Sequence, residues 1–345
     1  MKVLLTGHLG YIGVEALPVF RAAGHEVVGL DAGLFNECDF RAPPDDVETL
    51  DVDLRDVEPK HLDGFDAIAH FGALSNDPLG DLNPNLTYDI NLHASVGLAK
   101  AAKEAGVGRF LFASSCSLYG AGSGGLLTEE APFNPVTPYG ESKIRVEQEL
   151  SKLADSSFSP VYFRNATAYG VSRRLRADIV VNNLVGHAIT TGKVLLKSDG
   201  TPWRPLVHIR DIIGAFSAAL TAPQDAIHDQ AFNVGKNGEN YQIRDVANMV
   251  AEVVPDCEVA FAEGASADTR DYKVDFTKAA TQLTGFEATW TLRAGIEELY
   301  EAYRRAELTE EEFMGKRYYR LKTVQSLIDR GKLDSDLRWR DAGSP

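Results

Sequence analysis

The sequence has few cysteines, a shortage of positive charge and no long apolar run. Its three cysteines, Cys38, Cys116 and Cys257, are odd in number and widely spaced. They therefore suggest neither a disulfide framework nor a zinc motif, and they indicate a reducing compartment. Of the 345 residues, 35 are Lys or Arg and 50 are Asp or Glu, which gives a net charge of −15. A nucleic acid is not expected as a partner, because phosphate backbones bind basic surfaces.

No stretch of the sequence approaches the roughly 20 apolar residues that a membrane-spanning helix needs. Residues 1–5 begin a strand pattern, and no signal peptide comes before them. We therefore expect a cytoplasmic protein that has no membrane partner. Because the overall field is negative, a few local arginines must capture any anionic ligand.

Short apolar runs alternate with helical patterns in the first half of the chain. Strands are predicted over 2–6, 25–31, 48–54, 66–71, 109–115 and 160–165, and helices over 11–23, 84–105 and 138–154. Such alternation is typical of a parallel sheet with helices on both faces. The sequence therefore predicts an α/β fold, a Rossmann-type doubly wound parallel sheet with a smaller, mostly helical lobe.

The rhythm changes after Gly170. A helix is predicted over 178–191, a loop over 198–205 and one more core strand over 230–235. We predict an NAD-binding domain of residues 1–171 and 207–236, and a substrate-binding lobe of residues 172–206 and 237–345. The charged tail from Leu308 is predicted to be a solvated helix on the second lobe.

A glycine run, TGHLGYIG at residues 6–13, follows the first strand and precedes a helix. Gly7, Gly10 and Gly13 let the backbone approach a pyrophosphate, and the helix N-terminus supplies N–H groups and a favourable dipole. Asp31 ends the second strand, where a carboxylate accepts hydrogen bonds from the adenosine ribose and repels a 2′-phosphate. The pattern therefore predicts NAD rather than NADP as cofactor.

Ser115, Tyr139 and Lys143 are the candidate catalytic residues. Tyr139 and Lys143 are four residues apart on a predicted helix, so they share one face. An isolated tyrosine, with a pKa of about 10, is a poor base at neutral pH, and a neighbouring ammonium lowers that pKa. Lys143 is also placed to hold the nicotinamide ribose. Ser115 ends a strand at the sheet edge where ligands bind, so the three residues predict redox chemistry at a carbon that bears oxygen.

These motifs are similar to those of the extended short-chain dehydrogenase/reductase family, in its nucleotide-sugar epimerase/dehydratase group. The resemblance covers nearly the whole chain. It rests on the GxxGxxG spacing and on DVDLRD (51–56), HFGALS (70–75), SSCSLYG (114–120), YGESK (139–143), RNATAYG (164–170) and WRPLVHIRD (203–211). It implies further cofactor contacts: Tyr11 and Ile12 at the pyrophosphate, Asp53 and Leu54 beside the adenine, and Phe71 and Ala73 along the dinucleotide groove.

The resemblance also implies a nucleotide-diphosphate sugar as substrate. A diphosphate needs cations, and the planar fork of arginine suits phosphate. Arg204 matches the family's phosphate-binding arginine, and Asn183 matches an asparagine near the sugar and the diphosphate. Arg270 is a further candidate, with a surface salt bridge as the alternative. Thr167 replaces the family's asparagine in RxxNxYG, so that contact is shortened or rebuilt.

Departures from the family pattern reduce the number of reactions that this chain is expected to catalyse. Dehydratases of the family carry Thr-Asp-Glu where this chain has Ser115-Cys116-Ser117, so the acid and base that expel water are absent. An RPG-type arginine expected before DTRDY is also missing, which changes the details of nucleotide binding. Cys116 is either a second acid/base or, in the interpretation we favour, a buried apolar residue.

We predict an NAD-dependent nucleotide-diphosphate-sugar 4-epimerase in which Tyr139 takes the C4 hydroxyl proton and Ser115 orients the oxygen. A 4-ketoreductase of deoxysugar assembly would use the same residues, and a non-catalytic NAD-binding scaffold is a more remote alternative. Family members commonly dimerise through the two helices beside the site, here roughly 84–105 and 138–154. A homodimer is therefore expected, and no metal site is predicted.

Overall fold

The computed structural model describes residues 1–40, 42–43, 45–75, 84–196, 198–261 and 270–340. Its centre is a six-stranded parallel sheet in the order β10-β6-β4-β3-β1-β2. The strands are β1 (Lys2–Thr6), β2 (Glu26–Leu30), β3 (Ala67–His70), β4 (Arg109–Ser115), β6 (Ser159–Asn165) and β10 (Gln230–Val234). The predicted α/β, Rossmann-type fold class is confirmed.

Helices cover both faces of this sheet. On one face, α1 (Gly13–Ala22) and α6 (Ile209–Thr221) share a buried apolar cluster with the strands. On the other face lie α4 (Pro138–Ser151) and a long helix of three parts, α2 (Pro84–Thr87), a π-helical turn (Tyr88–His93) and α3 (Ala94–Glu104). The sheet is therefore buried on both sides, as its apolar strands require.

The second lobe has its own apolar core and two of the three small sheets, β11-β9-β7 and β12-β8; the third is β13-β5. The strands of these sheets are β5 (Ala121–Leu127), β7 (Thr167–Tyr169), β8 (Lys193–Leu196), β9 (Trp203–His208), β11 (Asn240–Gln242), β12 (Glu258–Phe261) and β13 (Asp271–Val274). The remaining helices are α5 (Val180–Thr191), α7 (Gln224–Ile227), α8 (Ile243–Val253), α9 (Thr277–Gln282), α10 (Leu292–Arg305), α11 (Glu310–Met314) and α12 (Arg320–Asp329). No helix in the described ranges is long and apolar enough to cross a membrane.

Two predicted elements differ from the structure. The strand predicted over 48–54 is reduced to a single bridge between Thr49 and Gly29 of β2. It goes no further because Asp53 accepts a hydrogen bond from the amide of Arg55 and starts a 3₁₀ turn, Leu54–Asp56. The loop predicted over 198–205 ends early, because β9 begins at Trp203 and pairs with β7 and β11.

The prediction for the charged tail, a helix on the second lobe, holds only for the start of the tail, where Leu308, Phe313 and Tyr318 belong to the second-lobe core. Residues 316–340, called the arm below, contain α12 and pack largely on the first lobe. The arm supplies Val324, Leu327, Leu333 and Leu337 to an apolar cluster that also contains Leu74 and Leu86. The apolar stripe of α12 therefore covers the region beyond β3 rather than the second lobe.

Candidate active site

A cavity of about 940 Å³ opens at the carboxyl ends of β1, β3 and β4 and is closed on its other side by the second lobe. From β1 the chain adds β2 on one side and β3 on the other, so the order of the parallel strands reverses between β1 and β3. Ligands of doubly wound sheets bind at such a point. Every predicted site residue lines this cavity: Gly7, Gly10, Tyr11, Ile12, Gly13, Asp31, Asp53, Leu54, Phe71, Ala73, Ser115, Tyr139, Lys143, Thr167, Asn183, Arg204 and Arg270.

The glycine loop has no room for side chains. Gly7 has a φ of +71°, and a Cβ there would lie 2.8 Å from the amide nitrogen of Gly72. A Cβ on Gly13 would lie 2.1 Å from the carbonyl oxygen of Gly7. The amides of Tyr11 and Ile12 donate to no acceptor in the described part of the chain. A loop of this kind, with open amides at a helix N-terminus, suits an anionic diphosphate.

Asp31 is fixed at the end of β2 by the loops around it. Its two carboxylate oxygens accept hydrogen bonds from the amides of Leu9 (3.1 Å) and Gly33 (2.9 Å). Each oxygen keeps a further lone pair, so the carboxylate still has acceptor capacity for the two hydroxyls of a ribose. The glycine loop thus offers open amide donors, and Asp31 offers acceptor capacity, on the same side of the cavity.

Asp53 is held by its neighbour Arg55, whose Nε and Nη2 donate to the two carboxylate oxygens at 2.8 and 2.7 Å. Burial raises the pKa of Asp53, but the hydrogen bonds from Arg55 outweigh burial and hold that pKa below its usual value. Arg55 also lines the cavity, although the sequence analysis did not single it out. The carboxylate therefore stays charged and oriented beside the β2 loop.

The candidate catalytic residues come from β4 and α4. Ser115 is the last residue of β4, and its hydroxyl accepts a hydrogen bond from the amide of Ser117 at 3.1 Å. Helix α4 begins with Thr137 as its cap, which places Tyr139 in the first turn and Lys143 one turn later. The Lys143 Nζ donates to the carbonyl of Ala113 at 2.7 Å and lies 5.5 Å from the centre of the Tyr139 ring.

Lys143 is buried next to a network of buried polar side chains. Burial lowers the pKa of Lys143 to about 7, and the negative charge of Glu147 partly opposes this effect. Glu147 is itself buried, where it pairs with Arg164 (2.7 Å) and accepts a hydrogen bond from the Ser114 hydroxyl (2.5 Å). Near neutral pH the Lys143 charge therefore depends on its surroundings, and a phenolate on Tyr139 would favour the ammonium form.

Cys116 and Ser117 occupy different environments. Cys116 is fully buried, does not line the cavity, and donates its thiol hydrogen to the Arg164 carbonyl at 3.0 Å. Burial raises the pKa of this thiol well above its usual value, so the thiol is a poor acid/base. Ser117 lines the cavity, and its buried hydroxyl has no hydrogen-bond partner among the described residues. Ser117 was not among the site residues predicted from the sequence.

The candidate substrate residues come from four separate elements of the chain. Thr167 lies on β7, Asn183 on α5 and Arg204 on β9, and Arg270 immediately precedes β13. The Arg204 Nη1 donates to the carbonyls of Trp203 (2.8 Å) and Arg270. The Asn183 Nδ2 donates to the Ala177 carbonyl (2.8 Å) and the Tyr319 hydroxyl (2.9 Å), which leaves its carbonyl oxygen as an acceptor. Residues 262–269, which include Asp268 and Thr269 of DTRDY, lie outside the described residues.

Several cavity residues carried no sequence signal. Arg176 and Asp178 form a two-point ion pair (2.9 and 3.0 Å) in the loop before α5. Tyr319 and Arg320 of the arm also line the cavity. Tyr319 and Arg320 have partners far away in the chain, Asn183 and Phe35, so no local pattern could place them in the cavity.

The fold and the cavity define a two-lobed, dinucleotide-binding α/β protein. Residues 3–235 match the NAD dependent epimerase/dehydratase family, and the chain belongs to that family. Its cofactor is NAD, on which the family depends.

Relatives with assigned activities are distant. The chain is 30% identical to UDP-glucose 4-epimerase of Corynebacterium glutamicum, with 73% of this chain and 80% of that protein covered. It is 27% identical to UDP-glucose 4-epimerase of Bacillus subtilis, with 87% and 94% covered. Among solved structures, MoeE5 in complex with UDP-glucuronic acid and NAD is similar, with a TM-score of 0.77 and 27% identity over 89% of this chain and all of that one.

Proposed function

We propose that this protein is an NAD-dependent 4-epimerase of a nucleotide-diphosphate sugar. The observation that carries the proposal is that Ser115, Tyr139 and Lys143 line the same cavity as the glycine loop and the two arginines Arg204 and Arg270. The candidate catalytic residues and the candidate diphosphate-binding residues therefore lie in the same cavity. The UDP-glucose 4-epimerases among the relatives support the same reaction.

In this proposal Tyr139, Lys143 and Ser115 have separate roles at the C4 oxygen of the sugar. Tyr139, as phenolate, takes the proton of the C4 hydroxyl and later returns it. Lys143 stabilises the phenolate from the next turn of α4, and Ser115 holds the oxygen as it alternates between alcohol and ketone. Bound NAD supplies the hydride acceptor and donor at C4. The keto sugar must turn within the cavity and present the opposite face of C4 before that carbon is reduced again, so that the opposite C4 epimer forms.

Dehydration is disfavoured by the side chains beside Ser115. A dehydratase needs an acid and a base to expel water, and this chain has Cys116 and Ser117 at those two positions. The Cys116 thiol is buried behind the strand with a raised pKa, and a serine hydroxyl does not titrate near neutrality. Neither side chain replaces the missing carboxyl groups.

The test is turnover of nucleotide sugars followed by proton NMR, beginning with UDP-glucose and UDP-glucuronic acid because the relatives suggest them. A 4-epimerase converts one sugar into its C4 epimer with no net change in absorbance at 340 nm. Net consumption of NADH with a keto sugar would instead identify a ketoreductase. Absence of turnover with NAD bound, across UDP-, dTDP-, GDP- and CDP-sugars, would favour a scaffold.

We also propose a homodimer that forms through α4 and the long helix Pro84–Glu104. The two helices lie side by side on one face of the sheet, next to the cavity. Light scattering during gel filtration measures the mass directly. A mass near 37.6 kDa at all concentrations would mean a monomer and would contradict this proposal.

A further inference from the structure

The arm places a buried cation in the cavity without an anion to pair with it. Arg320 begins α12, lines the cavity and is only 3% exposed. Its Nη2 donates to the Arg174 carbonyl at 2.8 Å, and its guanidinium lies 4.2 Å from the centre of the Phe35 ring. Its Nη1 is buried and has no acceptor among the described residues. A buried guanidinium in such a setting lacks its usual compensation.

The neighbouring arginines differ because each has a carboxylate partner. Arg174 pairs with Asp39, although its Nε is also buried without an acceptor among the described residues, and Arg176 pairs with Asp178. Within the described ranges, Arg320 has no carboxylate within salt-bridge distance. Burial lowers the pKa of Arg320 to about 10, so the side chain is still charged at neutral pH. This part of the cavity therefore carries one uncompensated positive charge, which suits an anionic ligand.

Both contacts of Arg320 lie on the dinucleotide side of the cavity. Phe35 belongs to the loop that follows Asp31. Arg174 follows Ser172, whose hydroxyl donates to the Tyr11 carbonyl of the glycine loop at 2.7 Å. Of the groups that make up NAD, only the diphosphate is anionic.

We propose that Arg320 binds a diphosphate oxygen of NAD through its Nη1, from the side opposite the glycine loop. The diphosphate would then be bound both by the amides of Tyr11 and Ile12 in the glycine loop and by Arg320 in the arm. This assignment concerns the cofactor and does not depend on which sugar the protein converts.

The arm would then also cover the adenosine end of the cofactor. The Trp339 indole donates to the Ala32 carbonyl at 2.7 Å, and the Arg55 Nη1 donates to the Asp336 carbonyl at 2.6 Å. Arg338 forms an ion pair with Asp56. These contacts join the arm to the β2 loop and to the 3₁₀ turn beside it. Because a cofactor contact and these arm contacts both favour the docked position of the arm, NAD binding and docking of the arm support each other.

The test compares Arg320→Met and Arg320→Lys with Arg330→Met as control. Arg330 caps the C-terminal end of the same helix but is exposed, pairs with Glu37 and does not line the cavity. NADH is bound to each protein, and its dissociation is followed by fluorescence after addition of excess NAD. We expect dissociation about 10- to 100-fold faster in Arg320→Met, a smaller change in Arg320→Lys, and none in Arg330→Met, as befits loss of a charged hydrogen bond.

Two further measurements separate the possible sources of the effect. Titration with UDP should give the same affinity in all variants; weaker UDP binding with unchanged NADH dissociation would assign Arg320 to the sugar nucleotide and overturn the proposal. Without ligands, Arg320→Met should melt no lower than the parent protein, because an unpaired buried charge is removed, while the stabilisation by NAD should shrink. A lower melting temperature with an unchanged NAD effect would mean a purely structural arginine.

Discussion

The two walls of the cavity are built in different ways. The first-lobe wall consists of loops that directly follow β1, β2, β3 and β4, together with the first turns of α4. The second-lobe wall takes side chains from β7, α5, β8, β9, α8 and the start of β13. The arm, which belongs to neither wall, adds Tyr319, Arg320, Leu321 and Leu337. Backbone geometry forms the first wall, whereas side chains from distant segments form the second.

This difference has a functional consequence. A wall made of strand ends and tight glycine loops can bind only a ligand of fixed shape, as a cofactor is. A wall made of individual side chains can change one contact at a time, as recognition of different sugars requires. The experiments below ask whether the two walls act separately.

Replacing Tyr139 with phenylalanine should have the largest effect, because it removes the proposed base and leaves both walls intact. We expect turnover to fall by about 10³-fold or more, with the affinities for NAD and UDP within about twofold of the parent values. Turnover is measured by NMR and affinities by calorimetry. Tyr241→Phe, which lies outside the cavity, is the control. Surviving turnover in Tyr139→Phe would contradict the mechanism.

Replacing Asp31 with asparagine should affect the first wall alone. Loss of the negative charge removes the repulsion of a 2′-phosphate, so the ratio of NADP to NAD affinity should rise by about 10- to 100-fold. The ratio is informative because any loosening of the loop affects both dinucleotides. An unchanged ratio would mean that Asp31 does not contact the ribose, and a change in UDP affinity would mean that the walls are coupled.

Replacing Arg204 with glutamine should affect the second wall alone. We expect UDP to bind about tenfold more weakly, as for loss of a charged hydrogen bond to phosphate, while NAD affinity is retained. Calorimetry with each ligand measures both effects. Arg244→Gln is the matched control, because Arg244 is exposed and does not line the cavity. Equal losses of NAD and UDP affinity would contradict the separation of the two walls.

Replacing Lys143 with methionine should give a smaller, pH-dependent change in stability. The pKa of Lys143 is about 7 when folded and about 10.5 as its ordinary value, so the folded protein binds fewer protons between these pH values. The penalty for burying the charge is complete below pH 7 and disappears as the pH rises towards 10.5. The variant should therefore melt a few degrees higher than the parent at pH 6, roughly the size expected for a change of about 1 kcal/mol.

The difference in melting temperature between Lys143→Met and the parent protein should be small by pH 10. Melting curves of both proteins, measured without added ligands from pH 6 to 10, check the sign and the window. A difference that stays constant over this range would mean that Lys143 does not titrate there. A variant that melts lower at every pH would mean that the hydrogen bond to Ala113 outweighs the penalty for burial.

The sequence alone was enough to predict the first wall, because its signals are local. Apolar runs such as RFLFASS are strands where they were expected, and the glycine spacing places the phosphate loop. The strand over 48–54 failed for an equally local reason, since the Asp53 side chain competes with strand pairing by accepting a hydrogen bond from the amide of Arg55, two residues later. Strand patterns that contain several aspartates are thus open to local competition.

The second wall and the arm could be predicted only in part. Asn183, Arg204 and Arg270 were found through resemblance, and their roles in binding stay predictions. Arg320 was missed because a charged helix normally faces water, and the residue that it stacks on, Phe35, is nearly 300 positions away in the chain. The spacing of apolar and charged residues within one helix contains no information about a contact with so distant a residue. Only the packing of α12 against the first lobe brings the two side chains together.

The connections between the lobes determine how the cleft can move. The chain passes from β6 to β7 near residue 166, returns from β9 to α6 at residues 208–209, and leaves again between β10 and β11. It comes back to the first lobe with β13, leaves with α10 and returns once more with the arm. One connection would act as a swivel, but several connections at separate points resist rotation of one lobe against the other. We therefore expect small-angle X-ray scattering profiles with and without ligands to be nearly identical. Entry to the cavity then depends on the arm and on loops rather than on a hinge.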